Sequence, residues 1–493
     1  MSGSSEVETL RVQNALLSKQ VERLFEKVAE LLKRINELEG GERRQLELQL
    51  KETSAELDRA RRQMFGESSE RLSKAKPSAS PGVRAGHGRR EQLGLPEVEL
   101  VHDLPEDERV CDSCGGSLSE WTGQEEVSPE ITVVSRSYRY VVHKRKKYRC
   151  QCGACIKTAP APRKLRPGAL YSIDFAIDVA VSKYAYHLPL ERQVRMMASE
   201  GLQIDSQTLW DQLEALAAHL EPTHQALRTH VLEQPVIGAD ETHWRLMGAG
   251  SKASGGKGKR WHVWAIISAD AVSYQLHNSR SAEAANAVLG GYEGTVLCDG
   301  YAAYDSLRKQ GGKFRLAHCW AHVRRKFYEL KDVHPTECAQ VLDYIGQLYA
   351  IEAETRNVSP EQHLKVRKQR SKPIIDQIRT WSYEVESLPQ SALRKALVYM
   401  GGMWQGLQVF LDDPNVELDN NRVERSLRGV VLGRKNHLGS RSERGTEVAA
   451  LFYSLVESAR LNSVDPAHYL RCALDAAFEG AAPLLPRHAM LLT

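Results

Sequence analysis

Three carboxylates stand out for the chain around them. Asp240 closes the apolar run in VIGADETHW, Asp299 closes the one in TVLCDGY, and Glu424 is a lone acid in LDNNRVERSLRG. Around Glu424 lie Arg422, Arg425, Arg428, Arg434, Lys435, Arg441 and Arg444. Carboxylates at the C-terminal ends of neighbouring strands converge at one sheet edge, and hard oxygen ligands of that kind suit Mg2+ or Mn2+. Two such ions, roughly 4 Å apart, would activate an attacking oxygen and stabilise a leaving one in displacement at phosphorus. Each acid also has a plainer reading. Asp299 before Gly300 is a common turn pair, Asp240 with Glu241 could be a solvated strand end, and Glu424 with Arg428 could be an i,i+4 helix pair worth a few tenths of a kcal/mol. The three together, in this order and on these elements, favour the metal site.

A second constellation is sulfur. Of nine cysteines, Cys111, Cys114, Cys150, Cys152 and Cys155 fall between residues 111 and 155, in CDSCGG and CQCGAC. In a reducing compartment such clustering favours metal over disulfide. Two knuckles joined by a strand hairpin suit a tetrahedral structural Zn2+, with Cys111, Cys114, Cys152 and Cys155 as ligands and Cys150 as the alternative to Cys152. Between the knuckles Arg145, Lys146 and Lys147 belong to a basic run interleaved with tyrosines, a face suited to DNA phosphates. Cys319 and His322 form a C-x-x-H pair, for which steadying the acidic site, holding zinc and plain core packing are all open. Beside it Trp320 and the run Arg324, Arg325, Lys326 suggest a stacking and phosphate-contact surface.

These side chains need elements to hold them. After Pro235 the pattern gives three strands able to pair as a meander, a helix (SAEAANAVLGG), a buried strand ending at Asp299, and a fifth strand running into a basic helix. That is a mixed α/β sheet with helices on both faces, in the strand order of a ribonuclease H-like fold. The core is split, residues 236–330 and 415–460, by a charged helical insertion at 331–414. A glycine-rich tip at 248–260 carries Lys252, Lys257, Lys259 and Arg260. A helical element at 461–493 ends the chain.

Upstream, Leu10, Leu17, Leu24, Leu31 and Leu38 recur every seven residues, with Asn14, Val21, Val28 and Ile35 between them. Leucine at d, β-branched residues and one Asn at a read as a parallel two-stranded zipper over 1–65, hence a homodimer or higher oligomer. An amphipathic helix packed within its own chain is the alternative. Residues 66–100 read as a flexible basic linker, 101–165 as the zinc-binding domain, and 166–235 as three amphipathic helices, suiting either a helix-turn-helix or a plain bundle. Ser206 is the expected N-cap of the third. With a net charge of +4 over 493 residues, nucleic-acid binding must rest on local clusters. The N-terminus has no signal-peptide pattern and no apolar run approaches a membrane span, so a cytoplasmic protein is expected, with no membrane partner.

The motifs MFGESSE, YHLPLERQ, ADETHW, LCDGYAAYD, HCWAHVRRKF, DNNRVERSLRGVVLGRKN and GSRSERGTEVAA, with the cysteine knuckles, span nearly the whole chain. Together they resemble a bacterial transposase of the insertion sequence sixty-six family. The resemblance implies a multidomain α/β protein with a DDE catalytic core, whose triad falls on Asp240, Asp299 and Glu424. It also implies cleavage of element ends and transfer of their 3′-OH groups into target DNA, and small accessory proteins encoded beside the enzyme. The family shows one CxxC at the second knuckle where this chain has C-Q-C-G-A-C. With Glu424 read as a metal ligand, the basic residues around it, Arg425, Arg428, Arg434 and Lys435 among them, read as contacts to the DNA phosphates.

Overall fold

The computed structural model describes residues 18–31, single positions between 46 and 57, parts of 98–149, and 155–489 except 249–258. The basic linker, most of its tip counterpart with Lys252 and Lys257, Cys150 and Cys152 lie outside the described residues. The chain divides into two compact units, residues 67–136 and the remainder.

Residues 18–31 are helical, and their heptad leucines are buried by the same chain: Leu24 packs with Leu57, Leu31 with Leu46. The order is antiparallel. At these positions the leucines pack against residues of their own chain, as the amphipathic alternative expects.

In the larger unit a short hairpin, β1 (Lys147–Arg149) and β2 (Ile156–Thr158), precedes three helices: α1 (Ile173–Tyr184), α2 (Leu190–Ser199) and α3 (Ser206–Leu232). Asp205, not Ser206, caps α3, its carboxylate accepting from Thr208 N at 2.6 Å. Leu209, Leu213, Leu216, Leu220, Leu227 and Val231 bury one face of α3 in the same core as the sheet that follows. The three helices therefore share that core instead of forming a bundle of their own.

The sheet has five strands in the order β5-β4-β3-β6-β7. β3 (Val236–Leu246), β4 (Lys259–Ile267) and β5 (Val272–His277) form the antiparallel meander. β6 (Thr295–Cys298) and β7 (Arg315–His318) add on in parallel, linked by α4 (Ala282–Leu289) and α5 (Ala302–Lys309). β6 is buried at every position and apolar after Thr295, as suits a central parallel strand covered on both faces. The free edge of β5 is closed by a helix: Ser454 and Ser458 accept from the N–H groups of Tyr274 (2.8 Å) and Val272 (2.9 Å). Edge amides left open would invite pairing with another chain.

After β7 comes the basic helix α6 (Trp320–Tyr328), then the insertion: α7 (Pro335–Glu354), α8 (Pro360–Val366), α9 (Lys372–Glu384), α10 (Ala392–Gly402) and α11 (Trp404–Leu407). It builds a second core, of Val341, Ile345, Ile375, Ile378 and Leu393 among others, that reaches Leu297 on β6 and Ala317 on β7. Buried Arg367 ties its exit, pairing with both carboxylate oxygens of Glu352 (2.8 and 2.6 Å) and donating to the carbonyls of Phe410, Asp413 and Val416. The chain then returns to the sheet as α12 (Asn421–His437) and α13 (Glu443–Leu461), and α14 (Pro466–Phe478) follows. Among the described residues no helix is long and apolar enough to cross a membrane.

Candidate active site

The sheet edge that gathers the acids is made by unequal strand lengths. β6 stops pairing with β3 at Gly238, whereas β3 runs on with β4, so Asp240 stands just beyond the end of its parallel neighbour. Asp299 follows β6 directly, its Oδ1 accepting from Tyr301 N at 2.9 Å. Gly300 turns the chain there with φ +88°, and a Cβ on it would lie 2.2 Å from Met403 Sδ. From the insertion Tyr399 donates its hydroxyl to the Asp299 carbonyl (2.9 Å), so the insertion bears on the second acid.

Glu424 lies in the first turn of α12. The side chain that reaches it is His322, with Nε2 at 3.6 Å from Oε1; Oε1 is buried and accepts no hydrogen bond. The i,i+4 reading with Arg428 is thus replaced by a contact across elements. Burial pushes the Asp240 carboxyl up to about 8, with the charges of Asp299, Glu241 and Glu424 acting the same way. All three candidate acids therefore share one electrostatic neighbourhood. They are gathered but not closed: among the described residues no three His, Cys, Asp or Glu side chains stand ready as a metal cage.

Sequence reasoning missed Glu241. Its side chain is 1 % exposed, ion-paired with Arg280 and hydrogen-bonded to the Tyr304 hydroxyl (3.2 Å). Burial raises this carboxyl while Arg280 pulls against the rise. The Arg280 guanidinium also stacks over Tyr301 at 4.0 Å, and the Tyr301 hydroxyl donates to the Arg280 carbonyl. The strand after Asp240 and the helix after Asp299 are thereby locked together. The acidic doublet, expected to be a solvated strand end but lying within β3, gave no sign of this, because the arginine comes from a loop between β5 and α4.

The C-x-x-H pair is at the site. Cys319 precedes α6, its Sγ accepting the Asn420 N–H at 3.2 Å, and burial pushes its thiol up to about 12. Trp320 is not a stacking surface: it is fully buried, with Nε1 donating to the Leu407 carbonyl (2.8 Å). Its apolar bulk belongs to the second core.

Of the basic residues, Arg425, Arg428 and Lys435 are exposed on α12, Arg325 and Lys326 on α6. Arg324 packs its guanidinium over Tyr328 at 5.3 Å. Arg434 is engaged by the protein itself, donating to Thr242 Oγ1 (3.0 Å) and to the His243 carbonyl. On the hairpin Arg145 donates to the Ala159 carbonyl (2.7 Å), leaving Lys146 and Lys147 exposed. Beyond Asp240, Arg245 and Arg260 add to the positive charge. Register places His243 opposite His262 and Arg245 opposite Arg260 on one face of the β3–β4 extension.

In the smaller unit CDSCGG forms a tight turn: Gly115 N donates to the Cys111 carbonyl and Cys111 N to the Gly116 carbonyl, both at 2.8 Å. The N–H groups of Ser113 and Cys114, with the Cys114 side chain, hold the Cys111 thiol below its usual value. Cys155 is exposed, immediately before β2.

Comparison with known sequences bears on this geometry. Residues 168–448 match the sequence model of the Transposase IS66 family. In Sinorhizobium fredii, Uncharacterized protein y4jD is 32% identical over 412 residues, covering 79% of this chain and 78% of its own. From the same organism, Uncharacterized protein y4hP is 28% identical over 402 residues (76% and 71%), and Uncharacterized protein y4qI 28% identical over 423 residues (82% and 76%).

Proposed function

We propose, from the fact that the chain belongs to the Transposase IS66 family, that it is a DDE transposase with Asp240, Asp299 and Glu424 as its catalytic acids. What carries the reading is the convergence of three acids, remote in sequence, on the edge where β6 ends and β3 continues. The five-stranded order, with β3 central and antiparallel to β4, supports a ribonuclease H-like core.

The donor set fits divalent cations. Asp240 is pushed toward protonation by burial and by its acidic neighbours, and Glu424 Oε1 is buried and accepts no hydrogen bond, both of which a cation would relieve. Mg2+ or Mn2+, two ions, would supply Lewis-acid activation of the attacking oxygen and stabilisation of the leaving one. Asp240, Asp299 and Glu424 would hold them, with His322 facing Glu424. Arg425 and Arg428 on α12, and Arg324 and Arg325 on α6, would grip the phosphates on either side of the scissile bond. In the first reaction water attacks phosphorus at an element end, the P–O3′ bond breaks, and a 3′-OH is freed. In the second that hydroxyl attacks a target phosphodiester, losing its proton as the new P–O bond forms, and the target's own 3′ oxygen departs as a hydroxyl.

A homodimer or higher assembly belongs to this reading, because joining two element ends requires two active sites; with Leu24 and Leu31 covered within the chain, it would use other surfaces or an opened hairpin. Cys111 and Cys114, in their N–H-lined turn, would give two thiolates to a structural zinc. Accessory proteins of the same element are expected partners. The test is an assay of purified protein with labelled element ends, target DNA and Mn2+. Wild type should give cut and joined products and Glu424→Gln neither; cutting without joining would make the protein a nuclease, and an active Glu424→Gln would remove the third acid from the account.

A further inference from the structure

Three segments distant in the chain meet at one buried side chain. Asn420 is 1 % exposed and occupies the N-cap position of α12, yet makes no side-chain capping hydrogen bond. Capping is the usual work of Asn there, so its amide is committed elsewhere. Nδ2 donates to the carbonyl of Ala239, the residue before Asp240, at 3.0 Å. Its backbone N–H donates to Cys319 Sγ at 3.2 Å, at the head of the helix that carries His322. Its own carbonyl accepts from Glu424 N at 3.3 Å. One residue thus touches the strand of the first acid, the helix of the histidine that faces the third, and the backbone of the third acid itself.

The approach is close by construction. A Cβ on Gly238 would fall 2.4 Å from Val423 Cγ2 and 3.1 Å from Asn420 Oδ1, so only glycine lets the start of α12 settle on β3 here. The helix is anchored on its other side as well: Trp320 N donates to the Leu418 carbonyl (3.0 Å), and Asp419 accepts from the Tyr349 hydroxyl (2.9 Å). The capping role passes to Asp419, whose Oδ1 accepts from Asn421 N at 3.0 Å.

We propose that Asn420, with the Cys319 sulfur as acceptor of its N–H, is the positioning residue that sets the spacing between Asp240 and Glu424, and with it the affinity of the acidic site for divalent cations. The inference rests on the reading of the three acids as a cation site. It also gives the C-x-x-H pair a division of labour. Cys319 fixes the start of α12, and His322 faces the carboxylate that α12 carries.

The test uses the full-length protein and its Asn420→Ala, Cys319→Ala and Cys319→Ser variants, with Asp240→Asn as control. Free Mn2+ is titrated by its electron paramagnetic resonance signal without DNA, and end cleavage is followed against Mn2+ concentration. Asn420→Ala and Cys319→Ala should raise the Mn2+ midpoint by roughly 10- to 100-fold, the range for outer-shell partners of metal ligands. Their cleavage should recover as Mn2+ is raised. Cys319→Ser, which keeps an acceptor, should stay near wild type. A residue that only supports the fold would lower the melting temperature and the active fraction without moving the midpoint. A folded Asn420→Ala with a wild-type midpoint overturns the inference; if that variant does not fold, equal midpoints for Cys319→Ala and Cys319→Ser overturn it. Wild type that binds Mn2+ no better than Asp240→Asn would sink the three-acid site itself, a different failure from that of the clamp.

Discussion

Removing one carboxylate should stabilise the metal-free protein. Asp240 is mostly buried and pushed from its ordinary 3.8 up to about 8, first by burial and then by Asp299. At about 1.4 kcal/mol per pH unit, that displacement sets a ceiling of about 6 kcal/mol on what the site costs the fold. Relaxation of the repelling carboxylates should leave roughly 2 kcal/mol, the upper end of what single stabilising substitutions yield. The sign follows from linkage. A carboxyl whose folded value is raised penalises the fold as pH climbs from about 4 to 8, fully above 8 and not at all below 4. Asp240→Asn is nearly isosteric and removes the penalty. In a chelator its unfolding free energy should therefore exceed that of wild type by roughly 2 kcal/mol at pH 8.5, the gap closing toward pH 4.5. Adding Mn2+ should reverse the order, since a ligand that binds the native state stabilises it by mass action. Denaturant unfolding across that pH range, with and without Mn2+, reads both effects. An Asp240→Asn protein less stable than wild type in chelator at pH 8.5 would refute the electrostatic reasoning.

Other consequences are read separately. Arg367→Ala takes the guanidinium from Glu352, which keeps only His363, and leaves the carbonyls of Phe410, Asp413 and Val416 without their donor; it should lose about 3 kcal/mol of stability by denaturant unfolding, the low end for breaking a buried pair. Gly300→Ala meets both a positive φ and Met403 Sδ; about 1–3 kcal/mol of strain is expected, with loss of end cleavage because Asp299 moves. Arg425→Ala and Arg428→Ala should each weaken DNA binding evenly across sequences and reduce the slope of log K against log salt by about 1. An unchanged slope in fluorescence titrations would remove the arginine from the phosphate contacts.

The parts legible in the sequence were those set by short-range pattern. Alternation and apolar runs gave the meander and the buried β6, and an acid directly after an apolar run placed Asp299 just past β6; Asp240, expected at a strand end, instead lies within β3, which continues to Leu246. What escaped depends on contacts between remote segments. Arg280 reaches Glu241 from a loop, Asn420 abandons its cap for Ala239, and Tyr399 bonds the Asp299 carbonyl from within the insertion. None of these leaves a periodic trace. Trp320 misled for the same reason: a tryptophan beside three cationic residues looks like a stacking surface until the insertion is seen to bury it. The leucine repeat specified a seam but not its partner, which at Leu24 and Leu31 comes from the same chain.

Cation choice at the second acid separates a metal ligand from a bystander. Asp299→Cys replaces a hard oxygen ligand by a soft sulfur one, which disfavours Mg2+ far more than Mn2+. With labelled element ends and target DNA, the account predicts no strand-transfer product from Asp299→Cys in Mg2+ and recovered product in Mn2+, whereas wild type works in both. Wild-type levels of product from Asp299→Cys in Mg2+ would contradict it, because the carboxylate would then not be holding the catalytic ion.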